Sequence, residues 1–294
     1  MRIKKRCASD WMFTILVGII IVIAFFITLL PFIYVIAVSF SDLEYIIRGE
    51  VGLWPKGFTL SGYKQVLNQP RLWRAYYNTI WYTVVGTICN IFFTVLAAYP
   101  LSRYSFSGRK FLNFFIAFTM YFGGGMIPTY LLISKLGLYN TRMVMVIPSL
   151  ISTWNIMLCR SAFSEMPAEI IESAQIDGAG DWRIVWQIAV PLVKPTLAVV
   201  TMYYAIGHWN DFMTPLIYIS TESLQPMQLL LRRVLTQFSN DLMKGVNVVA
   251  YLKSVASVQI RYVTIVVAIA PILVVYPFIQ KYFVKGVMLG AVKG

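Results

Sequence analysis

The chain has 294 residues, of which 59% are hydrophobic and only 13% are charged. Soluble globular proteins carry roughly 45–50% apolar and about 25% charged residues, so this composition excludes an ordinary soluble enzyme. High hydrophobicity also excludes a disordered chain. The net charge of +13 comes from basic residues between long apolar runs, which favours flanks of membrane spans over a nucleic-acid surface. Three scattered cysteines and a single histidine predict neither a disulfide framework nor a metal site.

Six apolar runs organise the chain, and each is read as a helix that crosses a lipid bilayer. A spanning helix needs roughly 17–25 mostly apolar residues, and its backbone groups must be paired internally. The sequence therefore predicts an all-α, polytopic membrane protein with six transmembrane helices. The first run is about twice the length of a signal-peptide core, so we expect a retained anchor. The runs are 11–40, 75–102, 111–134, 143–159, 195–210 and 262–280.

Basic residues in short segments predict the orientation. Six spans place both termini on one side, together with the loop that holds Arg103, Arg109 and Lys110. Three short stretches on that side contain ten Lys and Arg against one acid, Asp10. Since cytoplasmic segments are enriched in Lys and Arg, both termini are predicted to be cytoplasmic, in a cell inner or plasma membrane. We divide the chain into an anchor helix with a first external segment, residues 1–75, and a core, residues 76–294, which contains a cytoplasmic loop, 164–191.

The loop 164–191 has the pattern of an amphipathic helix outside the membrane. Ser164 is expected to cap it, with Pro167 in the first turn. At 100° per residue one face is acidic and the other apolar. Helices that lie on lipid are basic on their polar face, so this one is expected to bind a protein, although a solvated face beneath the bundle would show the same pattern. The acidic face holds Glu165, Glu169 and Glu172, the apolar face Met166, Ile170, Ile171 and Ala174, and Gly178 and Gly180 end the helix.

A gapped motif in this loop resembles a known family. Glu172-Ser173-Ala174, Gly178, Ile188 and Val190-Pro191 match the spacing of the EAA loop of binding-protein-dependent ABC importer permeases. Ser173 replaces alanine and Val190 replaces leucine in that pattern. Segments 98–103, 209–212 and 290–294 are similar to the carbohydrate branch of the family. The segment 276–286 is similar to its polysaccharide and oligosaccharide subgroup, which includes permeases of alginate import.

This resemblance implies a type I ABC importer permease fold and a set of partners. The EAA helix would be seated in a cleft of a cytoplasmic ATPase dimer, whose closure drives alternating access in this chain and in a second, homologous permease subunit. An extracytoplasmic solute-binding protein would deliver an oligosaccharide. As a permease the chain would not be an enzyme and would carry no cofactor. It lacks a phosphate-binding loop for ATP hydrolysis, so ATP and Mg would lie on the ATPase. The residues implied in coupling are Glu165, Glu169, Glu172, Ser173, Ala174, Asp177 and Gly178.

A substrate path is predicted from polar and aromatic residues inside the spans. Trp and Tyr rings stack on sugar rings, and amide or carboxylate groups bind sugar hydroxyls. Aromatic residues at the membrane interface, and an acid satisfied by local hydrogen bonds, would give the same pattern. Trp154 and Asn155 are expected in the cytoplasmic half of the fourth span, and the others near the outer end of the fifth. The candidates are Trp154, Asn155, His208, Trp209, Asn210 and Asp211.

Three consecutive glycines, Gly123 to Gly125, interrupt the third span. They predict either close packing of a neighbouring helix or the end of a helix at an aqueous vestibule, and we favour close packing.

Other readings stay open at this stage. The external segments 41–74 and 222–261 hold ten basic and five acidic residues, which suits binding-protein docking, an acidic sugar, or ordinary membrane flanks. The tail 285–294 is either a frayed end or a contact to the ATPase. An importer for another solute would share the loop motif. The motif would be unexplained in a stand-alone carrier or channel, or in a membrane enzyme.

Overall fold

The computed structural model describes the backbone of residues 8–243, 258–277 and 280. Within this part of the chain the secondary structure is helical, with no strand. The helices are α1 Ala8–Ser39, α2 Leu43–Ile47, α3 Ser61–Leu67, α4 Pro70–Ser102, α5 Arg109–Tyr121, α6 Met126–Lys135, α7 Thr153–Ser164, α8 Ala168–Ile176, α9 Asp181–Leu192, α10 Lys194–Asn210, α11 Met213–Tyr218, α12 Met227–Met243 and α13 Val258–Pro277. Short 3-10 turns lie at Arg142–Met145, Ile147–Ser149 and Glu222–Leu224.

Three unbroken helices and three bent helix pairs account for the six predicted spans. The unbroken ones are α4, α13 and the apolar part of α1, Trp11–Ser39. The pairs bend by 114° between α5 and α6, by 50° between Arg142–Ser149 and α7, and by 87° between α9 and α10. If each bent pair is counted as one span, the helices are consistent with the six predicted spans, and three of the six are then interrupted rather than continuous.

The break after α5 corrects the expectation for the three glycines. Gly125 has φ +83°, and a side-chain carbon at Gly123 or Gly125 would have no neighbour within 4 Å among the described residues. Close packing is therefore wrong for the described chain, and the helix ends there instead. The positive φ at Gly125 explains the residue type, because L side chains rarely adopt that conformation.

The core of the helix bundle forms around α4. Val95, Ala98 and Leu101 of α4 are buried against α7 and α10. The same helix buries polar groups at Asn78 and Asn90, and both are hydrogen-bonded. Burying polar groups is tolerated here because partners replace the lost water. α4, which hydropathy identifies only as one of six spans, is therefore the helix against which α7 and α10 pack.

The described chain divides into two compact units. One lies within Met1–Gln69 and Arg233–Ala270, and the other within Pro70–Arg232 and Pro271–Gly294. In the first unit Gln259 donates to the carbonyl of Ser41 at 2.8 Å, which ties α13 to the end of α1. The predicted division at residues 75 and 76 lies near the first of these boundaries, but it assigns residues 233–270 to the core. The predicted tail contact, residues 285–294, lies outside the described residues.

Candidate functional site

The loop 164–191 starts differently from the prediction. α7 continues through Ser164, whose hydroxyl donates to the carbonyl of Arg160 at 2.9 Å. The loop helix α8 starts only at Ala168, with Pro167 as its N-cap. The prediction that Ser164 caps this helix is wrong, because its hydroxyl is used to bond back within α7, as serine side chains at helix ends often do.

The inner face of α8 packs against the chain's own helices. Ile171 and Ala174 are 7% and 8% exposed and form a cluster with the buried Ile184 of α9. Met166 packs on the same cluster, whereas Ile170 is 38% exposed. The sequence left open whether the apolar face meets the bundle or a partner. Most of this face meets the bundle, which leaves the opposite face for a partner.

The outer face of α8 is acidic and ends in an exposed apolar residue. Glu169, Glu172 and Ser173 are exposed on it, and Glu165 and Asp177 are exposed at its two ends. Ile176 is 86% exposed and lies among them, and Trp182 at the start of α9 is 62% exposed. Sequence reasoning missed Ile176, although the spacing 165, 169, 172 and 176 places it on the acidic face.

The turn after α8 is closed by two backbone hydrogen bonds. The amide of Ala179 donates to Ala174 at 2.9 Å, and the amide of Gly178 donates to Gln175 at 3.0 Å. This pair is the Schellman arrangement of a helix end, which requires a left-handed residue. Gly178 is that residue, with φ +79° and open space around it. The expectation that the helix ends at Gly178 is confirmed.

A cavity of about 530 Å³ opens where the fourth predicted span is interrupted. The break between the 3-10 turn Ile147–Ser149 and α7 forms one wall, and α10 forms the other. Trp154 and Tyr203 contribute exposed aromatic rings, 64% and 42% exposed. The lining residues are Ser149, Ile151, Ser152, Trp154, Asn155, Tyr203, Tyr204, Gly207, His208 and Asp211.

The structure brings together four of the six predicted path residues. Trp154 and Asn155 share this cavity with His208 and Asp211. The interruption before Thr153 makes this possible, because α7 starts there and the amide of Ser152 is bonded to Tyr204 of α10. The depth of these residues in the membrane stays a prediction.

Trp209 and Asn210 do not join that cavity. They line a second one of about 470 Å³, mainly apolar, between α10 and α13 with Ile206 and Ile272. Each residue of a helix is rotated by about 100° from the last, so neighbours of His208 face away from it. The two halves of the predicted cluster thus point to different surfaces of α10.

Two buried side-chain groups hold the interrupted span. Asn90 donates to the carbonyl of Ser149 and bonds His208 Nε2 through its Oδ1 at 2.6 Å. Tyr204 bonds Thr94 at 2.7 Å, and its hydroxyl accepts from the amide of Ser152 at 3.1 Å. We call Asn90 and Tyr204 the backbone clamp. It satisfies groups that a continuous helix would have paired internally.

The clamp residues were missed by the sequence reasoning. The sequence signal that could have revealed the clamp is a pair of polar residues, Asn90 and Thr94, spaced i, i+4 within an apolar run. Gly86 completes the arrangement, because a side chain there would overlap the imidazole of His208. Within the described part of the chain, no group of three acidic, histidine or cysteine side chains could hold a metal ion.

Comparisons with known proteins agree along almost the whole chain. Residues 6–289 match the protein family described as "Binding-protein-dependent transport system inner membrane component". Protein LplC of Bacillus subtilis is 41% identical over 274 residues, which cover 91% of this chain and 90% of LplC. The polygalacturonan/rhamnogalacturonan transport system permease protein YtcP of Bacillus subtilis is 37% identical over 91% of this chain and 93% of its own.

A solved structure is also similar to this chain. It is a crystal structure of a bacterial ABC transporter involved in the import of the acidic polysaccharide alginate. The matched chain has a TM-score of 0.87 and 34% sequence identity, and the match covers 96% of this chain and 100% of that one.

Proposed function

The chain belongs to the family of binding-protein-dependent transport system inner membrane components, and from that premise we propose that it forms half of the translocation path of an ATP-driven oligosaccharide importer. It is a transport subunit of the membrane rather than an enzyme. The observation that carries the proposal is the match to a sugar-importer chain over 96% of this sequence, together with a cavity walled by Trp154, Tyr203 and Asn155. Aromatic faces and hydroxyl-binding groups in one cavity are the chemistry that a sugar ring requires.

Energy would enter through the cytoplasmic loop. The exposed face of α8 presents Glu169 and Glu172 to cationic partners and Ile176 to an apolar recess. Its inner face is fixed to α9 through Ile184, so displacement of α8 would be transmitted to the α9–α10 pair. We propose that this face contacts a cytoplasmic ATPase dimer, which would hold the ATP and Mg.

Two further partners, a second permease subunit and a solute-binding protein, are proposed because this chain would form only half of the path. The cavity wall consists of α7, the break before it and α10, all from this one chain. A second, homologous permease subunit would supply the facing wall. An extracytoplasmic solute-binding protein would deliver the sugar to the side opposite the acidic loop, where the segments 41–74 and 222–261 are predicted to lie.

Uptake experiments test this proposal. Cells lacking the chain, and cells with it restored, would be supplied with short oligosaccharides from alginate and polygalacturonan, each used directly and after chemical reduction of its carboxyl groups. We expect uptake of at least one pool to need this chain, and to be lost when the phosphate-loop lysine of the co-purifying ATPase is replaced by alanine.

Two results would contradict the proposal. Uptake that persists without ATP hydrolysis would favour a stand-alone carrier or channel. Failure to import any of the four pools, while another solute such as a peptide is imported, would show that the same mechanism serves a different substrate.

A further inference from the structure

The cavity wall carries one charged side chain. Among its lining residues only Asp211 is an acid, and none is Lys or Arg. The others are serines, aromatics, a glycine, an isoleucine, Asn155 and His208. The guanidinium of Arg232 lies nearby, 5.0 Å from the ring centre of Phe212, but it is outside the lining. A negatively charged ligand in this cavity would therefore meet a carboxylate without a lining cation to offset it.

The position of Asp211 is fixed by its backbone neighbours. α10 ends at Asn210, and the chain turns through Asp211 with an extended backbone, φ −69° and ψ 113°. Oδ1 accepts a hydrogen bond from the amide of Thr214 at 3.0 Å, which caps the start of α11. An ionised carboxylate has about four acceptor positions, so capping leaves capacity for hydroxyl donors of a ligand.

We infer that Asp211 makes this cavity selective for uncharged sugar units and disfavours uronate units. Sugar hydroxyls donate to the carboxylate, whereas a uronate carboxylate is repelled by it in a cavity where water screens less than in bulk. The inference rests on the proposed function. The inferred preference of this chain's half of the path differs from the substrate named for the similar structure, which is an acidic polysaccharide. An acidic oligosaccharide would have to direct its carboxylates toward the facing subunit.

A variant that removes the charge but keeps the cap tests the inference. In Asp211→Asn the side-chain oxygen can still accept from Thr214, because asparagine and aspartate are comparable caps. Both protein forms would be assayed in the complete importer with the same binding protein, so that the preference of the binding protein cancels. The measured quantity is the uptake rate of the acidic alginate pool divided by that of its carboxyl-reduced counterpart.

The expected result is a rise of this acid-to-neutral ratio by about tenfold in Asp211→Asn, the order of magnitude for one partly screened charge pair. Asp211→Ser, which keeps a capping oxygen, should raise it as well. Glu50→Gln is the matched control, because it removes an exposed carboxylate that pairs with Lys56 and lies outside the cavity lining. Its ratio should equal that of the unmodified chain.

The outcomes separate this inference from the proposed function. Uptake of sugar with an unchanged ratio in both Asp211 variants would overturn the inference and leave the transport function intact. A ratio that rises equally in Glu50→Gln would also overturn it, since the effect would then reflect overall charge. Uptake of neither the acidic nor the neutral pools by the unmodified importer would contradict the proposed function itself.

Discussion

Gly178 shows how one backbone angle supports the acidic loop 164–191. Its φ of +79° closes the turn after α8, and no described atom lies within 4 Å of the position that a side-chain carbon would take. Any effect of substitution should therefore come from backbone conformation, not from crowding within the chain. Asparagine enters the left-handed region several-fold more often than other non-glycine residues, whereas a β-branched residue there is a genuine outlier.

This difference gives a paired prediction. Gly178→Val should reduce sugar uptake strongly and leave ATP hydrolysis by the assembled importer running without transport, because the turn that positions α8 is strained. Gly178→Asn should retain most of the uptake. The measurements are uptake and ATPase rate in proteoliposomes, with the amount of assembled complex as control. Equal loss in both variants would indicate that the ATPase needs the space at this position and not the turn.

At single positions, the sequence predicted features that depend on residues close in the chain, and it missed features that depend on contacts with residues far away in sequence. The turn at Gly178 and the acidic face follow from helix periodicity and a glycine, so both were predictable. The end of α7 at Ser164 was not predicted; Phe163 just before it is buried in the core with residues of α4 and α10, and such long-range contacts appear in no local pattern. The exposure of Ile176 was not predicted, because an apolar residue is ordinarily assigned to the core.

Among the helices, the backbone clamp determines where the fourth span is interrupted. Asn90 and Tyr204 bond the carbonyl of Ser149 and the amide of Ser152 on the two sides of the break. Hydropathy predicts that this span exists, because its average composition is apolar. It does not predict the break, because the compensating groups come from α4 and α10, far away in sequence.

Removing one clamp hydroxyl tests this arrangement. Tyr204→Phe takes the partner from both Thr94 and the amide of Ser152, and an unpaired buried polar group costs about 1–3 kcal/mol. We expect a lower temperature of thermal unfolding in detergent and greater reactivity of a cysteine introduced by Ile151→Cys.

Tyr203→Phe is the matched control, because it removes a hydroxyl from the same cavity wall without affecting the clamp. Unchanged stability and labelling in Tyr204→Phe would show that water replaces the hydroxyl, and that the break does not depend on the clamp.

For the whole molecule, composition alone determined the class. The apolar runs predicted the six spans because lipid leaves a chain few alternatives to internally bonded helices. The division into two units was not predictable in the same way. Residues 233–270 join the N-terminal unit through contacts such as Gln259 to Ser41, which connect positions 218 residues apart. Local periodicity contains no information about such pairs.

Orientation is the property of the whole chain that most needs a direct test. Arg103, in the short loop after α4, donates to the carbonyl of Phe163 at 3.2 Å, near the end of α7. The basic loop and the acidic loop 164–191 therefore lie at the same end of the bundle. The positive-inside rule places the basic loop in the cytoplasm. The coupling role proposed for α8 requires the acidic loop to lie there as well, so the two arguments, which rest on different residues, give the same orientation.

Labelling single cysteines would decide the orientation. In a chain with Cys7, Cys89 and Cys159 replaced by alanine, Ser107→Cys lies in the loop after α4 and Gln69→Cys precedes α4. We expect a membrane-impermeant maleimide to label Gln69→Cys in intact right-side-out vesicles and Ser107→Cys only in inverted ones, because α4 crosses the bilayer between them. The reverse pattern would place the acidic loop outside, away from ATP, and would contradict both the orientation and the coupling role of α8. Labelling of both positions from one side would instead show that α4, despite its 33 residues, does not cross the membrane.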